Sequence, residues 1–277
     1  MMTNILLIPN TDKKNSLCCA NEIAAELVQL GITPLADKQY AGKISGCVFD
    51  TFDRLLERCD LLLPIGGDGT ILRVMAHATQ ANKPILGINT GTVGFLTQLE
   101  PSELHALEKL KAGQYTIENR MMLEVKLGNE VRKNVLNDIV IQTKGGNLTS
   151  LVVERGDKTI AVQRANGLIF ATPTGSTAYS LAAGGSIADP ELEVIILTAI
   201  CPHSAYNRSF ILPAEGEYTI GTPDGEHLRL SFDGEDAGEL YGDEKILVRN
   251  SKSQARFINI GLRDFYSSIY DKLNIRR

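Results

Sequence analysis

The chain has 277 residues, 43% of them apolar and 22% charged, which is enough to bury two ordinary cores and excludes a disordered chain. A formal net charge of −5 excludes a broad nucleic-acid surface, and no run of about 18 apolar residues offers a membrane span. The five cysteines, Cys18, Cys19, Cys47, Cys59 and Cys201, are odd in number and lack CxxC spacing, so they read as reduced, mostly buried thiols of a cytoplasmic protein.

"NILLIP" (4–9) reads as a buried strand, and its flank "MMTNILLIPN" is too short an apolar run for a signal peptide. Leu17, Ala20, Ile23, Ala24, Leu27 and Leu30 then recur at helical spacing before Gly31. "GCVFD" (46–50) is a short strand and "CDLLLPIGG" (59–67) a stronger one; "TILRVMAHATQA" (70–81) follows as a helix and "KPILGIN" (83–89) as a strand. Strands that are apolar throughout and alternate with helices predict a parallel sheet covered on both faces.

"PSELHALEKLKAG" (101–113) reads as one helix opened by Pro101 and closed by Gly113. From about residue 115 the pattern turns to short β-type runs: "RMMLEVKL", "VLNDIVIQT", "SLVVERGDKTIAVQ", "NGLIFATP", "EVIILTAI", "EYTIG", "LRLSFDG" and "KILVRN". One helix is expected among them, in "STAYSLAAGGS" (176–186). The tail "GLRDFYSSIYDKLNIRR" sets Phe265, Tyr266, Ile269 and Leu273 on one helical face, which must cover something. The expected architecture is an α/β N-terminal domain with a parallel sheet (1–119 plus 253–277) and a β-rich C-terminal domain (120–252), the C-terminal helix returning to the first domain.

Residues 64–73 read "PIGGDGTILR". Gly66, Gly67 and Gly69 let backbone N–H groups converge on an anion, and a loop between strand and helix adds the field of the helix start. Asp68 does not fit a pure phosphate cradle, because a carboxylate repels phosphates. Phosphoryl transfer accounts for it, since a carboxylate can align an attacking hydroxyl with a γ-phosphate and accept its proton. The loop is neither GxxxxGK[ST] nor GxGxxG. From "GGDG" alone, a strand-to-helix turn with a capping aspartate is an equal reading.

The run "LLLPIGGDGTILRVMAHATQANKPILGINTGTVGFLTQL", followed in order by "NDIVI" (137–141), "GLIFATPTGSTAYSLAAGG" (167–185), "CPHS" (201–204) and "SFDG" (231–234), resembles the NAD kinase family from Asn4 to about Arg249. The resemblance implies transfer of the γ-phosphate of ATP to the 2′-hydroxyl of the adenosine ribose of NAD, giving NADP. It implies Asp68 as catalytic base and Gly66, Gly67, Gly69 and Thr70 as the phosphate loop. It places Asp68, Gly69, Arg73, Asn137, Asp138, Arg164, Asn166, Thr177, Ala178, Tyr179, Ser180 and Ala182 at the dinucleotide. An amide suits adenine, a carboxylate accepts from ribose hydroxyls, and a tyrosine offers a flat face to a base. Gly175, Gly184 and Gly185 bracket the predicted helix.

A divalent cation, magnesium, is expected on the ATP phosphates. No protein metal site is expected, since His77, His105, His203 and His227 lack ligand spacing. The implied partners are NAD and ATP, with no nucleic acid and no membrane, and the implied assembly is a homodimer or homotetramer. The sequence also departs from the family. Asn166 stands where many members carry Asp, no Arg falls near Asn147, and the usual Leu after Ser204 is missing. The first two bear on the choice between oxidised and reduced dinucleotide. Asp233 is either a second carboxylate near the phosphates or a hairpin turn. The alternatives are a lipid or sugar kinase sharing the GGDG loop, whose later motifs differ, and a non-catalytic NAD sensor, which has no use for Asp68.

Overall fold

Strand β1 (Asn4–Pro9) carries Ile5, Leu6 and Leu7 at no more than 1% exposure, and a strand apolar on both faces belongs in the middle of a covered sheet. The computed structural model describes residues 2–13, 15–91, 94–127, 130–204, 207–223 and 225–273. Around β1 lie β2 (Thr33–Asp37), β3 (Val48–Asp50), β4 (Leu61–Gly66), β5 (Gly87–Asn89) and β6 (Thr97–Leu99). All pair in parallel, in the order β3-β2-β1-β4-β5-β6. Strand order reverses direction between β1 and β4, and the connections leaving their C-terminal ends part there. That is the place where open α/β sheets form a crevice.

Helices α1 (Ser16–Gln29), α2 (Phe52–Arg58) and α3 (Asp68–Gln80) connect these strands. α1 buries Cys19, Ala20, Ile23, Ala24 and Leu27, one face of a 3.6-residue repeat, and burial of Ile23 or Leu27 contributes about 1.5–3 kcal/mol each. α3 buries Ile71, Val74, Met75 and Ala78 in the same way. The expected single helix over 101–113 is divided: Pro101–Leu107 winds as a 3-10 helix, and α4 (Glu108–Ala112) follows it. Glu100 and Glu103 close a reciprocal capping box at its start, and the tighter winding serves the same unsatisfied N–H groups.

The chain divides into two units, Met1–Asn119 with Ala255–Arg277, and Arg120–Gln254. In the first, β7 (Thr116–Arg120) leads out and β20 (Ala255–Asn259), its partner, leads back. Ile85 N donates to Arg256 O and Ile258 N to Ile85 O, each at 2.8 Å, so the return segment is tied to the first sheet. Helix α6 (Phe265–Lys272) ends this unit. Its inner face differs from the expected one. Phe265, Ile269 and Lys272 are half-buried and Ser268 is buried, whereas Tyr266 (58%) and Leu273 (39%) are exposed. Small Ser268 allows close packing, and Lys272 is drawn inward by a carboxylate described below.

The second unit is a sandwich. One antiparallel sheet contains β10 (Asp138–Thr143), β13 (Gly167–Ala171), β14 (Val194–Ile200), β15 (Phe210–Pro213), β17 (Leu228–Phe232) and β18 (Glu235–Leu240) in the order β15-β14-β13-β10-β17-β18. The other contains β8 (Leu123–Leu127), β9 (Glu130–Val135), β11 (Thr149–Arg155), β12 (Lys158–Ala165), β16 (Glu217–Gly221) and β19 (Ile246–Asn250) in the order β12-β11-β16-β19-β8-β9. Ile139, Ile141, Leu168 and Phe170 of the first meet Leu123, Val125, Tyr218 and Val248 of the second in one core. The helix expected over 176–186 shrinks to a 3-10 turn, Thr174–Thr177, and α5 (Tyr179–Ala182). Ala178, at φ −93° and ψ −131°, breaks the helical path between them.

Among the described residues no helix is long and apolar enough to cross a membrane. The cysteines are free thiols, but not mostly buried: Cys19 and Cys59 are buried, Cys47 is half-buried, and Cys18 and Cys201 are exposed. Burial pushes the Cys19 thiol up to about 12 and those of Cys47 and Cys59 up to about 11, which keeps all three in the inert protonated form.

Candidate active site

In the first unit, the crevice between the ends of β1 and β4 is a cavity of about 370 Å³ lined by Asn10, Lys13, Gly67, Asp68, Gly69, Thr70, Arg73, Gly94 and Lys272. Asp68 opens α3, and its carboxylate is fixed by Phe95 N (2.8 Å to Oδ2) and Leu96 N (3.1 Å to Oδ1). A carboxylate has about four acceptor positions, so capacity remains for a hydroxyl donor. Lys272 Nζ stands 3.8 Å from Oδ2 and 4.1 Å from the centre of the Phe95 ring.

The glycines serve different ends. Gly66 is a packing glycine, since a Cβ there would lie 2.2 Å from Thr70 Oγ1. Thr70 is itself buried, and its hydroxyl accepts from Asn10 Nδ2 at 3.2 Å. Gly67 is closely faced by the Lys13 ammonium, whereas Gly69 has open space where a side chain would be. Gly94, which sequence reasoning did not single out, is the most constrained here: a Cβ would fall 1.9 Å from Asp68 Oδ1. Only a bare backbone lets the Phe95 and Leu96 amides reach the carboxylate. Arg73 is exposed and pairs with Asp12 at 3.5 Å.

In the second unit, Asn137 and Asp138 stand at the start of β10. The segment before them is locked from two sides. Asp233 accepts from the N–H groups of Leu136 (2.9 Å), Asn137 (2.6 Å) and Asp138 (3.3 Å). Thr172 Oγ1 donates to Leu136 O at 2.6 Å, and Gly175 passes so close to Asn137 O that a Cβ would lie 1.9 Å from it. Asp233 lies in a hairpin: Asp233 (φ 51°) and Gly234 (φ 80°) form the two-residue turn between β17 and β18. Its carboxylate is used to hold the Asn137–Asp138 pair in place.

Asp138 is 4% exposed, and burial, joined by the charge of Asp233, pushes its carboxyl up to about 7; the N–H of Tyr179 opposes this. Burial also raises the Asp233 carboxyl, against its three amide donors. Tyr179 is 41% exposed, and its hydroxyl accepts from Gln142 Nε2 at 3.3 Å. The Asn137 side-chain amide makes no hydrogen bond among the described residues.

The other expected residues divide. Thr177 and Ala178 are half-buried beside Tyr179, and Ala182 is exposed at the end of α5. Ser180 is fully buried and bonds Thr198 Oγ1 at 2.9 Å, which is a packing role. Gly185 passes against Ser180 and Thr198, and Gly184 (φ 88°) ends the turn. Arg164 and Asn166 are not brought to Asp138. Asn166 precedes β13, whose far end, Ala171, pairs with Asp138, so about 16 Å of strand separates them. Its side chain instead donates to Gly146 O.

A glycine-framed carboxylate at the switch point of a parallel sheet is suited to phosphoryl transfer. Two family models match the chain: the ATP-NAD kinase N-terminal domain over residues 5–115 and the ATP-NAD kinase C-terminal domain over residues 136–260. The chain is 33% identical to the NAD kinase of Geotalea daltonii, over 98% of both chains. It is 35% identical to the NAD kinase of Caldanaerobacter subterraneus, over 99% of this chain and 100% of that one. The crystal structure of yeast NADH kinase complexed with NADH superposes with a TM-score of 0.89 at 26% identity, covering 99% of this chain and 88% of the yeast chain. An NAD kinase from Archaeoglobus fulgidus in complex with ATP shares the fold, with a TM-score of 0.75 at 23% identity over 97% and 98% of the two chains.

The chain belongs to the ATP-NAD kinase family. With NAD kinase models matching both halves, neither a lipid or sugar kinase nor a non-catalytic sensor is supported.

Proposed function

We propose that this protein is an NAD kinase that transfers the γ-phosphate of ATP to the 2′-hydroxyl of the adenosine ribose of NAD, with Asp68 as the general base. The observation that carries the reading is the Asp68 carboxylate, pinned by two amides at the crevice yet with acceptor capacity left. Asp68 orients the hydroxyl and takes its proton as the oxygen attacks phosphorus. Gly67 and Gly69, at the start of α3, place backbone N–H groups where the phosphates would lie.

The family implies a divalent metal, and we infer magnesium. Among the described residues no three His, Cys, Asp or Glu side chains converge, and Asp68 is the carboxylate lining the crevice. That donor set fits a magnesium ion carried mainly by phosphates and water, which it would hold while neutralising their charge. Asn137 and Asp138 are assigned to adenine and ribose, and Tyr179 to the dinucleotide. A cytoplasmic location and a homodimeric or homotetrameric state belong to this reading on the strength of the family alone.

The deciding experiment is a coupled NADP-formation assay with purified protein and magnesium, run with ATP, other triphosphates and polyphosphate as donors and NAD and NADH as acceptors. Absence of product from every pair overturns the proposal. Within that assay Tyr179→Ala should raise the KM for NAD about tenfold, as loss of a ring face worth about 1–2 kcal/mol would, with the KM for ATP little changed. Equal effects on both substrates would place Tyr179 elsewhere.

The Asp138 carboxyl also sets a pH dependence. Ionised, it is acceptor-only and takes two ribose hydroxyls more strongly than the protonated form does, so NAD affinity should rise with an inflection near pH 7, seen by calorimetric titration between about pH 6 and pH 8. Asp138→Asn should flatten it. The stability effect has the opposite sign. Between the unfolded carboxylate value of about 4 and the folded value of about 7 only the folded chain keeps the proton, so this contribution is full below the window and lost as pH rises through it.

A further inference from the structure

The cations at the crevice are unevenly occupied. Lys13 Nζ donates to Gly66 O at 3.1 Å, and Arg73 pairs with Asp12. Lys272, in the last turn of α6, stands 3.8 Å from Asp68 Oδ2, beyond hydrogen-bond distance, and lies over the Phe95 ring. Among the described residues it donates no hydrogen bond at all. An ammonium carries three donors, and this one is half-buried, with 28% of its side chain exposed. The ring takes one side of it and the carboxylate another, and the open side belongs to the cavity also lined by Gly67, Gly69 and Thr70.

Holding α6 there requires several contacts made earlier along the return segment. Lys109 Nζ donates to Ile260 O at 2.8 Å, and Arg263 pairs with Glu100 at 2.9 Å and Glu103 at 3.2 Å. The arrangement bears on the difficulty raised by the sequence, that a carboxylate and the donor's phosphates must share one crevice. A cation between them offsets the repulsion of both.

We propose that Lys272 is a donor-phosphate residue: its ammonium binds a terminal phosphoryl oxygen of the triphosphate while standing against Asp68, so that the C-terminal helix completes the donor site. This rests on the ATP-dependent reading above. During transfer the bond from the γ-phosphorus to the β,γ-bridging oxygen breaks and one to the ribose 2′-oxygen forms. The hydroxyl proton passes to Asp68, and ADP leaves with the bonding pair. Lys272 stays protonated throughout and follows the charge of the moving phosphoryl group.

The test compares the full chain with Lys272→Met, which keeps an apolar stem over Phe95, and Lys272→Arg, which restores a charge. Lys272→Met should raise the KM for ATP and weaken calorimetric binding of inorganic tripolyphosphate by about tenfold or more, as loss of a charge-assisted phosphate contact does. The KM for NAD and the melting temperature should hold, and Lys272→Arg should recover most of the loss. Unchanged tripolyphosphate affinity, or equal shifts in both KM values, overturns the proposal and leaves Lys272 as a packing partner of Asp68. If the unaltered chain makes no NADP with any donor, the parent reading fails, while the tripolyphosphate comparison still decides Lys272.

Discussion

Asp68→Asn is expected to lower kcat by about 10²–10⁴-fold, the usual worth of a positioned base, while NAD binding stays within about threefold of the unaltered chain. The asparagine fills the same volume, so the crevice keeps its shape. It has one acceptor oxygen where the carboxylate has two, so it can serve either Phe95 N or Leu96 N as the carboxylate does, but not both. It also cannot take a proton from an alcohol. Loss of the negative charge removes repulsion toward the donor phosphates, so the KM for ATP should not rise. A fall in kcat without a rise in either substrate's KM identifies a group acting in the transition state. Near-normal turnover measured in the NADP assay, with NAD affinity followed by calorimetry, would remove Asp68 as the base.

Asp233→Ala should be the most damaging change to stability away from the reacting groups. It strands the amides of Leu136, Asn137 and Asp138, and it puts alanine at φ 51°. Loss of the charged acceptor and the cost of a left-handed alanine together come to roughly 3–5 kcal/mol, or a melting temperature lower by roughly 6–20 °C. Asn137 and Asp138 would lose their fixed position, so the KM for NAD should rise at least about tenfold while that for ATP moves little. Asp233→Asn tolerates the left-handed turn and keeps one acceptor, so it should lose about half as much stability. A thermal melt and NAD titration of Asp233→Ala that match the unaltered chain would show that the turn is not what holds the pair.

The sequence made some of this legible and hid the rest for identifiable reasons. Apolar runs on buried strands announced themselves: "NILLIP" is β1 to the residue, and the alternation of strand and helix implied the parallel sheet. The strands passed over in the second unit, β9, β15 and β18, are all sheet edges. "EDAGEL" (235–240), for example, lacks the apolar alternation that a half-buried strand shows, because much of it faces water. The helix over 176–186 failed at a single backbone angle, Ala178, to which hydrophobic spacing is blind. In the candidate site, Asp68 stood out by being chemically out of place among glycines, and "DG" in "SFDG" carried the signal of a two-residue hairpin. What Asp233 holds could not be read, since its partners lie 95–97 residues away. Gly94 and Lys272 share this difficulty, because each matters through a contact with Asp68 that no local pattern records.

The return of residues 255–273 to the first sheet has a consequence for biosynthesis. Translation delivers β1 through β6 early, then the whole of the sandwich, and only afterwards the segment that bonds to Ile85 and brings Lys272 to Asp68. The growing polypeptide therefore displays the glycine-aspartate loop long before its cationic neighbour leaves the ribosome. The crevice is assembled only after the sandwich has been made, so a nascent chain stalled anywhere within the sandwich holds the Asp68 carboxylate without its counter-charge.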